Sequence, residues 1–250
     1  MQLKDISFDQ PERNILFDEV LLLLAEQGKG GEVLRFWESS QTFVVLGKIG
    51  NPQEDIYLEN VLADKIPVLK RSSGGGTVLQ GHGCLNYSLI LSKEAHPQIH
   101  DLRKSYQYIL TKVIGALASC GYECVFKPIS DIARKIDEKK NSGNAQKRGR
   151  RFILHHGTIL YDFDLTLMER YLRIPKDMPE YRRARKHTDF LTNFSLPIEK
   201  LKEVLSEVFF AQKISQLLSD EESRCLDQLL LTQHIRTDLL KNLQENSKKI

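Results

Sequence analysis

The spacing of apolar side chains over the first sixty residues changes from helical to extended. Residues 15–27 carry apolar positions at helical spacing and stop before Gly28, so they are predicted to form a helix. Two β-rich runs follow at residues 33–36 and 42–46, and residues 54–63 are predicted to form a short helix. The amino-terminal quarter of the chain therefore predicts strands packed with helices.

The middle of the chain contains the clearest pattern. An apolar run at residues 66–69 reads as a short buried strand and leads into three consecutive glycines. Residues 77–79 and 85–91 after them are predicted to pair as a β-hairpin. Residues 101–118 form a strongly amphipathic pattern with Asp101 at the N-cap position, which predicts a long helix.

The second half of the chain predicts more strands and then helices. Strands are expected at residues 123–126 and 152–161, a short helix at 165–171, and helices at 198–210 and 220–242. Strands and helices do not alternate regularly. The predicted fold class is therefore α+β, with a mixed, mainly antiparallel sheet flanked by helices.

Composition limits the classes of function. The chain has 250 residues, of which 41% are hydrophobic and 28% charged, as in ordinary globular proteins. A net charge of +3 is too small to indicate nucleic acid as a partner. No apolar stretch approaches the roughly 18 residues needed to span a bilayer. The amino terminus lacks a secretory pattern. We therefore expect a cytoplasmic protein with no membrane partner.

The four cysteines do not occur at paired metal-ligand spacings. Cys120 and Cys124 are four residues apart, but no second cysteine or histidine pair accompanies them. We therefore expect no protein-bound metal site. Disulfides are not expected in a reducing compartment.

The glycine triplet Gly74, Gly75 and Gly76 is the first candidate for chemistry. Glycine lets a ligand approach the main chain closely, and successive N–H groups in such a turn can bind an anion. Arg71, a permanent cation suited to carboxylate or phosphate, precedes the turn. The pattern matches neither a P-loop nor the dinucleotide fingerprint, because no Gly-Lys-Ser/Thr follows and no helix opens.

Two further blocks follow downstream. Lys139 and Lys140 precede small and amide-bearing residues, a setting in which a cation can offset charge on a phosphate and an activated carboxyl. The alternative is a solvated lysine-rich loop. Adjacent His155 and His156 on a strand point to opposite faces, so at most one faces a site, and metal binding by the pair is poorly supported.

Together the blocks resemble the lipoate and octanoate branch of the biotin/lipoate protein ligase superfamily. That family has an Arg-x-Ser-Gly-Gly-Gly turn, a Lys-x-Ser-Gly-Asn/Ser-Ala-Gln block and a His-His-Gly-Thr strand, in this order. The spacing to Ser142-Gly143 favours Lys140 over Lys139 as the block's lysine. Weaker matches are Asn14, Asp18-Glu19, Leu34-Arg35-Phe36-Trp37, Leu46-Gly47 and Ser130-Asp131-Ile132.

The resemblance implies an architecture and a reaction. The fold would be like the class II synthetases and biotinyl-lipoyl ligases. Residues 1–195 would form the catalytic domain. Residues 196–250 are expected to form a helical extension of it, in place of the large accessory domain that ligases of this family often carry. The implied enzyme is an ATP-dependent lipoate-protein ligase. It makes lipoyl-AMP from lipoate and ATP with Mg²⁺, then passes the lipoyl group to a lysine of a carrier domain.

The resemblance also implies site residues. Lys140 would be catalytic, touching the acyl carbonyl and the α-phosphate. Arg71 and the glycine turn at residues 74–76 would lie against the acyl group and the phosphate, and Asp131 near the nucleotide and Mg²⁺. The other substrate- and adenylate-binding residues implied are Ser73, Gly74, Gly75, Gly76, Thr77, Asn86, Ser142, Gly143, Asn144, Ala145, His156, Gly157 and Thr158.

Two alternatives stay open. Octanoyltransferases share the fold, use no ATP and carry octanoate on a cysteine, for which Cys124 is the candidate here. A non-catalytic module that binds an acyl ligand is the other. The implied partner is a lipoyl carrier domain, from a 2-oxoacid dehydrogenase E2 or a glycine-cleavage H-like protein, and a separate accessory subunit is possible. The basic run at residues 147–151 is expected to form a mobile loop that covers the adenylate or docks the acidic carrier.

Overall fold

A large mixed sheet forms the centre of the molecule. The computed structural model describes residues 1–195, 197–213 and 217–232. Within these residues the strands of the large sheet follow the order β11-β1-β2-β6-β10-β9-β8-β7. The pairs β11/β1 and β1/β2 are parallel and the others antiparallel. These strands are β1 (Gln2–Asp5), β2 (Val33–Trp37), β6 (Cys84–Ser92), β7 (Cys124–Lys127), β8 (Asp131–Arg134), β9 (Lys140–Arg148), β10 (Phe152–Leu160) and β11 (Gln212–Lys213).

A second, three-stranded sheet lies beside the first. Its order is β4-β3-β5, with β3 parallel to β4 and antiparallel to β5. The mixed, antiparallel-rich α+β class predicted from the sequence is confirmed. The strands of this sheet are β3 (Phe43–Leu46), β4 (Val68–Lys70) and β5 (Val78–Gln80).

Helices cover both faces of the large sheet. The amino-terminal helix α1 packs on one face, and the long helix α4 packs on the other. Asp101 caps α4 as predicted, because its carboxylate accepts a hydrogen bond from the Lys104 amide. The helices are α1 (Pro11–Glu26), α2 (Pro52–Asp55), α3 (Leu58–Ala63), α4 (Leu102–Ser119), α5 (Thr166–Tyr171), α6 (His187–Phe190), α7 (Ile198–Val208) and α8 (Asp220–Thr232), with short 3₁₀ turns at Pro97–Ile99 and Glu180–Arg182.

The predicted hairpin of residues 77–79 and 85–91 is wrong. β5 belongs to the small sheet, whereas β6 lies between β2 and β10 in the large one. Both edges of β6 are therefore occupied, so β5 pairs with β3 instead. The connection closes at Gly83, which has φ of +86° and packs so tightly on Asp162 and Phe163 that no side chain fits.

The carboxy-terminal elements pack on the helices that cover the large sheet. Leu201 and Leu205 of α7 join the core on the α4 side, and Leu226 of α8 joins the core around α1. The described part of the extension is thus built onto the same core. Of the helix predicted at residues 220–242, the part after residue 232 lies outside the described residues.

Candidate functional site

A bulge in β9 decides which way Lys140 faces. In the pairing with β8, Gly143 lies opposite Asp131 and Ser142 opposite Ile132, but Ala133 lies opposite Lys140. Asn141 is therefore one extra residue in the strand, and the alternation of faces shifts at it. Because of this shift, the Lys140 side chain lies over Gly143, whose Cβ, if it had one, would be 3.0 Å from the Lys140 Nζ.

Asn141 holds this bulge in place. Its side chain is fully buried and its Nδ2 donates hydrogen bonds to the carbonyls of Leu160 and Thr192. The block after the lysine is thus a strand, so the alternative of a solvated lysine-rich loop is wrong.

Lys140 forms an ion pair within the site. Its Nζ lies 2.8 Å from one oxygen of Asp131, and the hydroxyl of Tyr181 donates to the other at 2.7 Å. Burial and the charge of Asp131 raise the pKa of Tyr181 well above its usual range, so it stays a donor. An ammonium has three donors, so Lys140 keeps two for a ligand beyond Asp131.

Arg71 organises the glycine turn from inside. Its side chain is buried, and it donates to the Ser73 hydroxyl and to the carbonyls of Val45, Gly74 and Gly76. Burial lowers its pKa to about 10. The Arg71 guanidinium is thus engaged by groups of the chain itself, and the ligand contact of Arg71 stays a prediction.

The same hydrogen bonds orient the amides of the turn. Peptide units are planar and trans, so each N–H points away from the carbonyl of its own unit. With the carbonyls of Gly74 and Gly76 turned toward Arg71, the N–H groups of Gly75 and Thr77 point away from it. Gly75 has φ of +88°, which favours glycine, and the triplet is exposed. The turn therefore offers amide donors to an anion.

The turn and the lysine lie over the same face of the large sheet. A Cβ on Gly75 would be 3.7 Å from the Cβ of Ala145. Ala145 and Gly143 are two residues apart on β9 and share a face, which separates them by about 7 Å. The amide turn therefore lies above Ala145 and the ammonium above Gly143.

His156 connects this face to the turn. It lies opposite Ala145 on β10, and its Nε2 is 2.7 Å from the Ser73 hydroxyl. Burial, with the nearby charge of Arg71, lowers the pKa of His156 to about 3, so the ring is neutral. His155 points to the α4 face and contacts Gln146 instead, as the opposite-face prediction required.

Thr158 and Asn86 form a closed polar ring with Gln80 on the Lys140 face. The Gln80 amide donates to Thr158, the Thr158 hydroxyl donates to Asn86, and the Asn86 amide donates to Gln80. Thr158 lies opposite Gly143. The ring thus forms the polar floor beside Lys140. Thr77 at the rim donates to Asp55.

Three of the predicted site residues lie at strand positions that face the other side of the sheet. Ser142, Asn144 and Gly157 face α4, where Asn144 accepts from the Tyr87 hydroxyl and donates to the Ser130 carbonyl. A Cβ on Gly157 would lie 1.9 Å from the Asn144 Oδ1. The side chains of Ser142 and Asn144 therefore do not reach the Lys140 face. On the α4 side they hold the strands and the Ser130 segment in place.

The cysteine predicted as an alternative nucleophile is remote from this face. Cys124 pairs with Arg134 in the β7/β8 ladder and packs with the core on the α4 side. Burial raises its pKa to about 12. Because the thiolate is the nucleophile, this cysteine is poorly suited to carry an acyl group. Cys84 is fully buried, and burial raises its pKa further still.

The basic run at residues 147–151 is anchored, so the prediction of a mobile loop is wrong. Lys147 and Arg148 belong to β9. Lys147 pairs with Glu19, and Arg148 donates to the carbonyls of Ile99 and His100. Arg150 and Arg151 are both exposed in this turn, and Arg151 donates to the carbonyls of Ala25 and Glu26.

Three residues of the site were missed from sequence. Tyr181 lies in a segment for which the sequence predicted no helix or strand, and no local signal marked it. Gln80 directly follows the run at residues 77–79 that was predicted as a strand, and no motif marked it. Asp18 was a weak motif match, and an acidic residue on the apolar face of a helix is the signal that could have singled it out.

The described residues contain no cluster of three or more metal-ligating side chains and no helix long and apolar enough to cross a membrane.

Comparisons with known proteins show which family the chain resembles. A family model described as the lipoyl protein ligase A/B catalytic domain matches residues 10–220. A probable lipoate-protein ligase A of Mycoplasma pneumoniae is 30% identical over 213 residues, which cover 82% of this chain and 61% of that protein. Octanoyltransferase LipM of Brevibacillus brevis is 23% identical over 90% of this chain and 92% of its own.

Solved structures share the fold. A bi-partite lipoate protein ligase from Thermoplasma acidophilum, studied with its E2 lipoyl domain, has a TM-score of 0.77 at 19% identity, covering 93% of this chain and 92% of that chain. A lipoate-protein ligase A bound with ATP has a TM-score of 0.75 at 21% identity, covering 93% and 94%.

The family match extends across more than half of the chain, whereas the individual ligases it resembles are longer. The chain spans between 34% and 61% of the length of the ligase relatives described as lipoate-protein ligase A. On the evidence of the family model and of the shared fold, this chain belongs to the lipoyl protein ligase A/B catalytic domain family.

Proposed function

We propose that the chain is an ATP-dependent lipoate-protein ligase, which converts lipoate and ATP to lipoyl-AMP and then acylates a lysine of a carrier domain. The observation that carries the proposal is the position of the Lys140 ammonium and of the glycine turn over one strand face. A mixed anhydride of a carboxylate and a phosphate needs donors along its length, and this face provides a cation and main-chain amides.

Each step of the proposed reaction places negative charge beside Lys140. In the first step a lipoate carboxylate oxygen bonds to the α-phosphorus of ATP, and the bond to pyrophosphate breaks. In the second, the neutral amine of a carrier lysine attacks the acyl carbonyl, and AMP leaves with the electron pair of the broken bond. Lys140 and the amides of Gly75 and Thr77 would stabilise the charge that develops on the phosphate and carbonyl oxygens.

Mg²⁺ would enter with ATP as part of the substrate. Asp131 is a carboxylate of the right type for it, but both of its oxygens are already bound, by Lys140 and Tyr181. Mg²⁺ bound to ATP would offset phosphate charge. Asp131 would therefore act first on Lys140, by holding its ammonium over Gly143.

The octanoyltransferase alternative needs a reactive thiol near this face. Cys124 packs on the α4 side with its pKa raised to about 12, and Cys84 is buried. Four cysteines occur in the chain and all four lie in the described residues as free thiols. The similarity to LipM over nearly its whole length keeps the transferase worth testing, although no cysteine supports it.

The partner in the proposed reaction is a lipoyl carrier domain, with E2 and glycine-cleavage H-like proteins as the candidates. The Thermoplasma protein is described as bi-partite and with its E2 lipoyl domain, and a separate accessory subunit is proposed here by analogy. Arg150 is an exposed cation that could meet an acidic carrier surface. ATP is available in the cytoplasm, where we propose that the reaction takes place.

The decisive experiment separates the two steps. Purified protein is mixed with lipoate and Mg-ATP, and lipoyl-AMP is followed by mass spectrometry and pyrophosphate release. A lipoyl domain is then added and its mass gain measured. A ligase forms lipoyl-AMP and acylates the domain only with ATP. Transfer from an octanoyl-carrier thioester without ATP would instead establish the transferase.

A failed acylation with intact adenylation would point to a missing accessory subunit. Absence of both steps, with lipoate still bound, would support the non-catalytic acyl-binding module. Arg150→Glu tests the docking idea: it should raise the KM for the carrier domain and leave lipoyl-AMP formation unchanged.

A further inference from the structure

A buried acidic residue in α1 lies beside the site without touching the proposed reaction. Asp18 is only 3% exposed, and Arg35 beneath it is fully buried. One oxygen of Asp18 lies 2.6 Å from the Arg35 Nη1, and the other accepts from the Ser88 hydroxyl at 2.6 Å. A buried carboxylate with this many partners is held firmly in one position.

Asp18 faces His156 where α1 packs on the sheet. Its Ser88-bound oxygen is 3.9 Å from the His156 Nδ1, which is too long for a hydrogen bond, but at this distance a negative charge attracts an N–H dipole of the neutral ring. Ser88 lies directly opposite His156 in the β6/β10 ladder, so the carboxylate and the ring are positioned by the same strand pair. The carboxylate favours a proton on Nδ1.

The other ring nitrogen contacts the glycine turn. With Nδ1 protonated, the Nε2 of the neutral ring is an acceptor. It lies 2.7 Å from the Ser73 hydroxyl, which therefore donates to it. That leaves the Ser73 oxygen to accept from the Arg71 Nε at 3.0 Å, and Arg71 in turn binds the carbonyls of Gly74 and Gly76.

We propose that Asp18 is a positioning residue: it fixes His156 as the tautomer with Nδ1 protonated, and through Ser73 and Arg71 this orients the amides of the glycine turn. The route runs Asp18, His156, Ser73, Arg71 and the turn. Without the carboxylate, the proton can move to Nε2. Ser73 then loses its acceptor: its oxygen must accept from both the His156 Nε2 and the Arg71 Nε, and its own hydrogen no longer fixes where the hydroxyl supports Arg71.

The adjacent residue provides a matched control. Glu19 is also a buried acid of α1 and pairs with Lys147 of β9 at 3.1 Å. It has the same charge and lies on the same helix, but its partner is not on the route to the turn. Glu19→Gln should therefore disturb the packing of α1 as Asp18→Asn does, without changing the state of His156.

The first measurement needs no substrate. Nitrogen-15 NMR of the histidine side chains of the free protein at pH 7, assigned with His156→Asn, should show His156 neutral and protonated at Nδ1. Asp18→Asn should give a mixture of tautomers or the Nε2-protonated form, whereas Glu19→Gln should keep the wild-type signal. An Nε2-protonated His156 in the wild-type protein overturns the proposal without any variant, even if Asp18→Asn fails to fold.

The kinetic consequence rests on the proposed function. Asp18→Asn should lower the rate of lipoyl-AMP formation by about tenfold to a hundredfold, because a turn displaced by a fraction of an ångström misplaces its amides. Glu19→Gln should retain the wild-type rate. A wild-type tautomer and rate in folded Asp18→Asn would refute the positioning role. A further outcome is that neither the wild-type protein nor any variant makes lipoyl-AMP, although the NMR result is as expected. In that case the proposed function fails, whereas the positioning role of Asp18 stands.

Discussion

The Lys140 ammonium lies over the backbone of Gly143 and 2.8 Å from the carboxylate of Asp131. Both contacts depend on the single extra residue at Asn141. A regular strand would place Lys140 on the face of Ser142, toward α4, and away from the glycine turn. The bulge therefore connects the local sequence of the lysine block to the chemistry proposed for it.

Lys140→Ala should reduce lipoyl-AMP formation by at least about a hundredfold, because a preorganised cation at the developing phosphate charge is lost. Lipoate-dependent exchange of labelled pyrophosphate into ATP measures this step directly. Lys139→Ala is the matched control, since Lys139 precedes β9 and contributes its backbone amide to Asp137. Exchange that survives in Lys140→Ala above a tenth of the wild-type rate would remove Lys140 from the catalytic role.

Cys124→Ser should leave carrier acylation within about twofold of wild type. The thiol is on the α4 side of the sheet, and burial raises its pKa to about 12, so little thiolate exists at neutral pH. Acylation of a lipoyl domain is measured with ATP present and absent, together with a search for acyl groups on the protein by intact-mass spectrometry. An ATP-independent acyl adduct that disappears in the variant would favour the transferase.

Much of the fold could be predicted because apolar periodicity reports burial. Helix α4 and its Asp101 cap, and the strand containing His155, occur close to where the pattern predicted them. The partner of a strand is harder to predict, because a short turn fits both a hairpin and a connection between two sheets. β5 and β6 were wrongly paired for this reason.

The sequence predicted which residues belong to the candidate site, but not which way their side chains point. Motifs located Lys140, the glycine turn and His156, which the structure brings to one face. The bulge at Asn141 and the burial of Arg71 depend on contacts made by distant segments. Residue type and the family resemblance predicted a ligand contact for Arg71, and neither predicted that its guanidinium donates to the carbonyls of the turn.

Gly143→Ala should lower the rate of lipoyl-AMP formation by about tenfold, because the new methyl group would be 3.0 Å from the Lys140 Nζ and 3.1 Å from its Cε. The lysine end is flexible and can move aside, so thermal stability should change little. Gly115→Ala is the control, since a Cβ there meets nothing within 4 Å and lies in the helix interior of α4. Equal rates in the two variants would show that the space over Gly143 is not needed.

The two adjacent histidines predict a loss of stability in acid. Burial, as the main cause, lowers the pKa of both His155 and His156 to about 3 in the folded protein, whereas an unfolded histidine titrates near about 6.5. Between these values the unfolded chain binds protons that the folded chain does not. The part of the free energy of unfolding that depends on these neutral rings is therefore fully present above about pH 6.5. It falls as the pH drops toward 3, by up to about 1.4 kcal/mol per pH unit for each histidine.

Carboxylates also titrate in this range, so the test is a difference between variants. Urea unfolding of the wild-type protein and of His155→Gln is measured at intervals from pH 7 to pH 5. His155 is chosen because it faces α4 and Gln146, away from the Lys140 face. The free energy of unfolding should fall less steeply with acid in His155→Gln than in the wild-type protein. If the free energy of unfolding falls equally steeply with acid in His155→Gln and in the wild type, the buried ring takes up its proton in the folded state. Its environment would then be more polar than its packing against Tyr87 and Tyr106 indicates.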